Sequence, residues 1–193
     1  MEESYQIPTD GPLVAFKEWQ SICDALANGR QSLILRKGGI AEGRDGFAFK
    51  HKAFFLFPTL FHHQWDSIKE VPNNPPKLPE SDDRETVTID LYAKVVSAEV
   101  LEDWQSVGVL HEHHVWKEEV IRERFDYNDH GSIHLAVLRV YRLARPWVLP
   151  YQRNFGGCRS WLNLPIDRYT KTEGIPVMSD RKFAILLRKL KAH

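Results

Sequence analysis

The residues best suited to bind an anion follow a short apolar run in the first quarter of the chain. Residues 33–35, with the sequence LIL, lead directly into Arg36, Lys37, Gly38 and Gly39. Glycine has no Cβ, so the backbone at the pair can turn sharply or come close to a ligand. Arginine offers a planar pair of donors for phosphate, and lysine offers a point charge. The stretch indicates either a contact with an anion or the corner of a β-hairpin.

Two tryptophans lie beside polar residues, a combination that a pocket for a nucleic-acid base requires. Trp65 follows His62, His63 and Gln64, and Trp161 follows Arg159 and Ser160. Stacking on an aromatic side chain contributes about 1–3 kcal/mol per base and tolerates any base. Hydrogen bonds to the base edge then discriminate, by about 1–3 kcal/mol for a good bidentate pair. These residues predict base recognition, while most other tryptophans are expected in the core.

Three residues are candidates for catalysis. His63 or His114 could act as a general base, because an imidazole exchanges protons near neutral pH. Cys158 follows Gly156 and Gly157 and could be a nucleophile if a histidine lies nearby in space. A lone cysteine beside a strand is, however, usually a small buried apolar residue. The catalytic residue, if there is one, stays open at this point.

Several other kinds of site are not indicated. The histidines cluster in sequence, but they form no metal motif such as H-E-x-x-H. The chain has no G-x-S-x-G, no G-x-x-x-x-G-K-[ST] and no G-x-G-x-x-G, so phosphate-loop hydrolysis and dinucleotide-dependent oxidoreduction are not supported. The two cysteines, Cys23 and Cys158, form no C-x-x-C pair. We therefore expect no metal and no cofactor.

The first half of the chain predicts a helix followed by a long hairpin. Asp10, Gly11 and Pro12 are typical of a helix start, and apolar residues then recur at helical spacing as far as Gly29. A strand over residues 31–36 and a second over 47–58 are expected to pair with each other. A short helix is expected to begin at Thr59.

The second half predicts three strands and three helices. Strands are expected over residues 86–96, 132–144 and 158–164, because apolar residues alternate or dominate there. Helices are expected around 101–110, 115–124 and 180–191, the last of them basic and amphipathic. Residues 71–85 contain four prolines and predict a surface loop. Together these elements predict an α+β fold, in which helices surround a mainly antiparallel, barrel-like sheet, within a single domain over residues 1–193.

Charge is balanced overall but is distributed unevenly. Residues 66–126 contain 15 acidic and 7 basic residues, whereas residues 127–193 contain 12 basic and 4 acidic residues. Charge blocks of this size influence which partners the protein binds, or they attract each other within the folded domain. No apolar run approaches the roughly 20 residues of a membrane helix, and cysteine is scarce. We expect a cytoplasmic protein that does not enter a membrane.

Five phrases carry a resemblance to a known family. AFKEWQSICDALANGRQSLILRKGGI, FFLFPTLFHHQ, HHVWKEEVIRERF, LRVYRL and GGCRSWLNL lie in order over about residues 15–164. Together they resemble DUF1802, a bacterial family whose name describes no activity. The resemblance implies an association with restriction-modification genes. The polar positions that it carries onto this chain are Arg36, Lys37, His63, Gln64, His114, Arg124, Arg139, Tyr141, Cys158 and Ser160.

The layout also resembles PUA-like domains, which include ASCH and EVE domains. An early helix ends at a glycine, and a basic strand and a small barrel follow. Many such domains bind RNA or a modified, flipped-out base, and a few ASCH domains are hydrolases of modified nucleosides. This likeness concerns the fold and only favours such a function.

Three functions remain open from the sequence. The first is a nucleic-acid-binding module that reads a modified or flipped-out base, for which the family resemblance implies a restriction or defence system. The second is a small hydrolase of nucleosides or nucleic acid with a histidine base, and the third is a protein-interaction subunit of a defence complex. The residues predicted to contact nucleic acid are Arg36, Lys37, His63, Gln64, Trp65, Arg124, Arg139, Tyr141, Ser160 and Trp161.

Overall fold

A computed structural model of the chain describes most of the 193 residues. The described residues are 4–37, 48–61, 63–72, 75, 84–127, 131–157, 159–165 and 171–191. Most of the proline-rich segment at 71–85 lies outside these ranges, as do Gly38, Gly39 and Cys158.

Eight strands and four helices make up the described fold. The strands are β1 (Tyr5–Ile7), β2 (Val14–Trp19), β3 (Leu33–Lys37), β4 (Ala53–Thr59), β5 (Thr86–Leu101), β6 (Ile133–Pro150), β7 (Trp161–Asn163) and β8 (Thr172–Pro176). The helices are α1 (Gln20–Ala27), α2 (Trp104–Gly108), α3 (Glu118–Phe125) and α4 (Asp180–Lys191). Two single 3₁₀ turns cover His111–His113 and Arg153–Phe155.

One sheet contains all eight strands, in the order β1-β8-β6-β5-β4-β2-β7, with β3 also paired to β6. The long strands β5 and β6 form its centre, and β2 with β4 is the parallel pair among antiparallel ones. The α+β class and the mostly antiparallel sheet are therefore confirmed. The expected closed barrel is wrong. Among the described strands, β1 and β7 lie at the two ends of the strand order, so the sheet does not close on itself.

The first part of the first predicted helix is a strand. Residues 14–19 form β2, which pairs with β4 on one side and β7 on the other, and the helix begins only at Gln20. The strand is buried on both faces, so it lacks the alternation that identifies a half-buried strand. Apolar residues at helical spacing therefore extended the helix prediction backwards. Gly29 ends the helix as expected, with a positive φ of 65°.

The predicted hairpin between residues 31–36 and 47–58 is also wrong. β3 pairs with β6, where Arg36 faces His134, and β4 pairs with β2 and β5. Thr59 starts no helix: it ends β4, and its hydroxyl donates to the carbonyl oxygen of Glu18. Long-range pairing overrides the local pattern here.

Two apolar clusters stabilise the sheet. Adjacent residues on a strand point to opposite faces, and Phe54 packs in one cluster while Phe55 packs in the other. The larger cluster includes Trp116 and the buried residues of α1 and α3. The smaller one includes Tyr92 and Tyr141. No helix within the described ranges is long and apolar enough to cross a membrane.

Candidate functional site

A cavity of about 420 Å³ opens where β2 and β7 pair. The lead-in to β4 and the turn at Arg153–Phe155 complete its walls. The residues that line it are Val14, Lys17, Lys50, His51, Asn154, Phe155, Arg159, Trp161, Leu162 and Asn163. Its size is within the roughly 300–1,000 Å³ typical of ligand cavities.

The charged groups in this cavity are cationic. Lys17 is buried on β2, and its Nζ donates to the carbonyl oxygens of Gly156 and Gly157 at 3.1 and 3.0 Å. Lys50 and Arg159 are exposed at the cavity. None of the described residues that line it is acidic. A cavity with donors and cations on its walls attracts a ligand that is anionic or rich in acceptors.

Trp161 forms the aromatic wall of the cavity. Its ring packs edge-on against Phe16 and Phe54, with centroids 4.8 and 5.2 Å away. The imidazole of His51 lies 4.7 Å from the same indole, between ring centroids. The indole Nε1 is buried and has no hydrogen-bond partner among the described residues. Such a donor is costly to leave unpaired unless a ligand or water satisfies it.

His51 is neutral at neutral pH in this setting. Burial lowers the pKa of its imidazole below the ordinary 6.5, and the neighbouring cation of Lys50 lowers it further. The ring can therefore accept a proton or a hydrogen bond through one nitrogen and donate through the other.

Arg36 lies directly behind the aromatic wall. Its Nη2 donates to Ser160 Oγ at 3.3 Å, and its guanidinium carbon lies 5.3 Å from the centre of the Phe16 ring. Its Nη1 is 3.9 Å from Glu18 Oε1. The Glu18 carboxylate is fully buried, and its second oxygen, Oε2, has no partner within the described part of the chain. Arg36, Ser160 and Trp161 thus form one neighbourhood.

Arg124 lies close to these residues, but its role is structural. Its guanidinium lies between the rings of Trp19 and Trp116, 4.8 Å from each, and Nη1 donates to the carbonyl oxygen of Leu35 at 2.9 Å. Burial lowers the pKa of Arg124 to about 10, so it stays charged at neutral pH. The side chain holds α3 against β3.

Three predicted residues from the segment after β4 lie outside the cavity lining. Gln64 is fully buried; its Oε1 accepts from the backbone N–H of Ser21 at 2.7 Å, and its Nε2 donates to Phe61 O at 3.0 Å. The amide therefore caps α1 and is not exposed for a base. His63 is mostly exposed beside Asp66, and Trp65 packs against the larger apolar cluster.

His114 is enclosed rather than presented to a substrate. It is buried next to Trp116 and lines a cavity of only about 60 Å³. Burial, followed by the charge of Lys69, lowers the pKa of His114 to about 3. A base this weak and this enclosed does not fit the predicted role in catalysis. Elsewhere, among the described residues, no group of three His, Cys, Asp or Glu side chains could hold a metal ion.

Arg139 and Tyr141 lie further along β6. Arg139 forms an ion pair with Asp180 at 2.6 Å and stacks on Phe183, so it fastens α4 to the sheet. Tyr141 is buried beside Tyr5. Arg36 pairs with His134 on the same strand, so Tyr141 is about 23 Å beyond that point at roughly 3.3 Å per residue.

Lys37, the last predicted cation, faces away from the cavity lining. Its Nζ lies 3.7 Å from the ring centre of Tyr127, an exposed side chain.

Sequence reasoning missed most of the cavity. Lys17, Lys50 and His51 line it, and none was predicted as a site residue. Arg159 also lines it and was noted only as a polar neighbour of Trp161. One signal was available: Lys17 and Glu18 interrupt an otherwise apolar segment, and both are buried. Charged residues are seldom buried without a specific partner or function. The other residues come together only in the tertiary structure, because β2 pairs with β7 on one side and with β4, which Lys50 and His51 precede, on the other.

Comparison with known proteins gives a family and a fold. The family model for DUF1802, a domain of unknown function, matches residues 15–189. A crystal structure of a serine-to-alanine mutant of ZmASCH from Zymomonas mobilis matches with 12% identity and a TM-score of 0.50, covering 93% of this chain and 99% of that one. The ASCH structure from the same organism matches with 11% identity, a TM-score of 0.49, and coverage of 81% and 90%. No curated protein matches the sequence.

Proposed function

The chain belongs to the DUF1802 family and has the PUA-like fold of ASCH domains, and from this premise we propose that it binds single-stranded nucleic acid. One nucleotide occupies the cavity beside Trp161, and the flanking backbone lies across Lys50 and Arg159. The observation that carries the proposal is the composition of the cavity, whose described lining residues include cations, amides and an indole and no acidic residue.

Each part of a nucleotide has a matching group. Phosphate oxygens are acceptors that lysine and arginine bind, and Lys50 and Arg159 are the exposed cations at the cavity. A base has acceptors on its edge, which suit the unpaired Nε1–H of Trp161 and the amides of Asn154 and Asn163.

The zero net charge of the chain favours a local contact over general affinity for nucleic acid. Non-specific binding depends on many phosphate contacts and weakens steeply with salt. A single extruded nucleotide needs few phosphate contacts, and extruding it costs least when the base is modified or unpaired. The protein therefore selects unpaired or modified bases rather than duplex. A role in restriction or defence, and a cytoplasmic location, stay predictions from the sequence.

Fluorescence anisotropy tests the proposal directly. Labelled single- and double-stranded DNA and RNA, with and without modified cytosines and adenines, are titrated with the protein at low and moderate salt. The proposal expects binding that prefers single strands and survives moderate salt. The Lys50→Ala, Arg159→Ala double variant should bind more weakly, whereas Arg145→Ala removes an exposed cation of β6 and should not. Absence of binding to every probe, or equal losses in both variants, would overturn the proposal.

A second candidate is a hydrolase that acts on the same bound nucleotide. One observation favours it: His51 presents a neutral imidazole in the cavity, as a general base requires. His51 thereby replaces His63 and His114 as the histidine to test. Turnover of bound nucleic acid or of modified nucleosides that is lost in His51→Gln, while binding is retained, would identify the enzyme.

A further inference from the structure

A second cavity of about 430 Å³ lies beneath the C-terminal helix α4. The end of α1, the turn at His111–His113 and the start of α4 enclose it. The residues that line it are Asn28, Gly29, Arg30, Gln31, Glu112, His113, Val177, Met178, Ser179, Lys182, Ile185, Leu186 and Lys189. It shares no lining residue with the cavity at Trp161.

Helix α4 turns a particular face towards this cavity. Lys182, Ile185, Leu186 and Lys189 follow the spacing i, i+3, i+4 and i+7, which is one face of an α-helix. Ile185 is 45% exposed, although it is a large apolar side chain. Phe183 is the one buried residue of the helix, so the body of the protein covers α4 only in part. The face therefore has two aliphatic side chains, Ile185 and Leu186, flanked by the cations of Lys182 and Lys189.

The helix is nevertheless fixed in place. Arg139 holds Asp180 at 2.6 Å and stacks on Phe183, and the backbone N–H of Val177 donates to the carbonyl oxygen of Val140 at 3.0 Å. An exposed apolar stripe on an anchored helix beside an open cavity is a preformed surface, which lowers the entropy cost of binding.

We propose that this face and the cavity form a docking site for an acidic amphipathic helix of a partner protein. The partner inserts leucine-type side chains beside Ile185 and Leu186, and its glutamates meet Lys182 and Lys189. Amphipathic helices bind hydrophobic grooves in this way through residues at i, i+3, i+4 and i+7. Charges that flank the apolar seam decide which partner is accepted.

Charge selects this occupant over the alternatives. Lys182 and Lys189 form no ion pair within the described part of the chain, whereas Arg30 at the same cavity is already paired with Glu70 at 2.7 Å. Glu112 is the acidic residue among the described lining residues, so the two unpaired lysines still leave the cavity cationic. A second copy of α4 would bring lysine against lysine, which is repulsive. A phosphate backbone would gain the two lysines but would leave Ile185 and Leu186 exposed to water.

The test uses two synthetic helical peptides and the full-length protein. The first peptide, about 20 residues long so that it can form a helix, repeats the pattern Glu-x-x-Leu-Leu-x-x-Glu and has a fluorescein label. The second has Lys in place of every Glu. We expect the acidic peptide to bind saturably and the basic one not to bind.

Two charge-reversal variants locate the site. Lys182→Glu, Lys189→Glu changes the cavity face and should weaken binding by at least about tenfold, as at a charged contact in an interface. Arg181→Glu, Arg188→Glu makes the same charge change on α4 at residues that do not line the cavity, and should weaken it by less than about threefold. Circular dichroism and thermal unfolding check that both variants fold, and Ile185→Ser tests the apolar contact without a charge change.

The outcomes separate this proposal from the one before it. Loss of peptide binding in the cavity-face variant, with nucleic-acid binding unchanged, supports the docking site. Absence of peptide binding, equal binding of the basic peptide, or equal losses in the two charge variants would overturn it. Displacement of the acidic peptide by single-stranded DNA, with the same dependence on Lys182 and Lys189, would also overturn it, because this face would then bind nucleic acid.

Discussion

Arg36 and Trp161 contact the same phenylalanine ring. The guanidinium of Arg36 lies 5.3 Å from the centre of Phe16, and the indole of Trp161 lies 4.8 Å from it. The two residues belong to β3 and β7, strands that do not pair with each other. Phe16 on β2 therefore connects a partly buried cation to the aromatic wall of the cavity.

Removing the Arg36 side chain should destabilise the protein. Arg36 is the cation that forms an ion pair with the fully buried Glu18, at 3.9 Å, and its loss leaves that carboxylate with only the more distant charge of Arg124. We expect Arg36→Ala to lower the free energy of unfolding by about 2–4 kcal/mol. Urea denaturation measures the change.

Two further variants test this cause. The Arg36→Ala, Glu18→Gln double variant should recover part of the loss, because the buried carboxylate that Arg36 paired with is then replaced by a neutral amide. Lys37→Ala removes the neighbouring cation, which lies over Tyr127, and should cost at most about 1 kcal/mol. A loss in Arg36→Ala no larger than that of Lys37→Ala would show that Glu18 does not depend on Arg36.

The indole nitrogen of Trp161 should contribute to base binding. Trp161→Phe keeps an aromatic ring but removes the buried Nε1–H that has no partner among the described residues. A hydrogen bond from this donor to a base contributes about 0.5–1.5 kcal/mol, so binding should weaken by roughly two- to tenfold. Anisotropy with the preferred single-stranded probe measures it. Trp104→Phe, at the smaller cavity near His114, serves as the control and should leave binding unchanged.

Gln64 should matter for stability and not for binding. Its amide joins the backbone N–H of Ser21 to the carbonyl oxygen of Phe61 in the interior. Gln64→Leu leaves the buried N–H of Ser21 unpaired, whereas the carbonyl oxygen of Phe61 still accepts from the backbone N–H of residue 64 at 3.1 Å. A buried unpaired group costs about 1–3 kcal/mol. Thermal unfolding should show a clear loss of stability, while anisotropy at a temperature where the variant is folded should match the parent protein. Weaker binding by a folded variant would mean that Gln64 contacts nucleic acid, as the sequence predicted.

The sequence predicted the elements better than their pairing. The helix Asp180–Lys191 and the strands around 86–96 and 132–144 follow from local periodicity, and the structure confirms them. β2 was missed because both of its faces are buried, which removes the alternation that identifies a half-buried strand. The partners of β3 and β4 could not be predicted from turn residues, since both strands pair with distant ones.

The candidate site was likewise predicted in its residue types and not in its contacts. Arg36, Ser160 and Trp161 were singled out for their residue types, and the fold brings them together. Gln64 and Arg139 have equally suitable types, but one caps α1 and the other anchors α4. Residue type indicates which contacts a side chain can make, and only the tertiary structure decides which it does make. Lys17 and His51 were missed for that reason.

Stability should fall in mild acid partly because of His114. Its pKa in the folded protein is about 3, lowered by burial and then by Lys69, against 6.5 for an ordinary histidine. Between those values the unfolded chain binds a proton that the folded protein does not, so the free energy of unfolding decreases as the pH falls through this window. The contribution is fully present above pH 6.5 and changes by at most about 1.4 kcal/mol per pH unit.

Comparison with His114→Gln isolates this contribution, because the burial of His51 and His134 lowers their pKa values in the parent and the variant alike. As the pH is lowered from 7 to 4, the free energy of unfolding should decrease more in the parent than in His114→Gln. Urea denaturation at several pH values measures it, and His63→Gln controls for the loss of an exposed imidazole. A difference that stays constant over this range would mean that the folded protein protonates His114 as readily as the unfolded chain does.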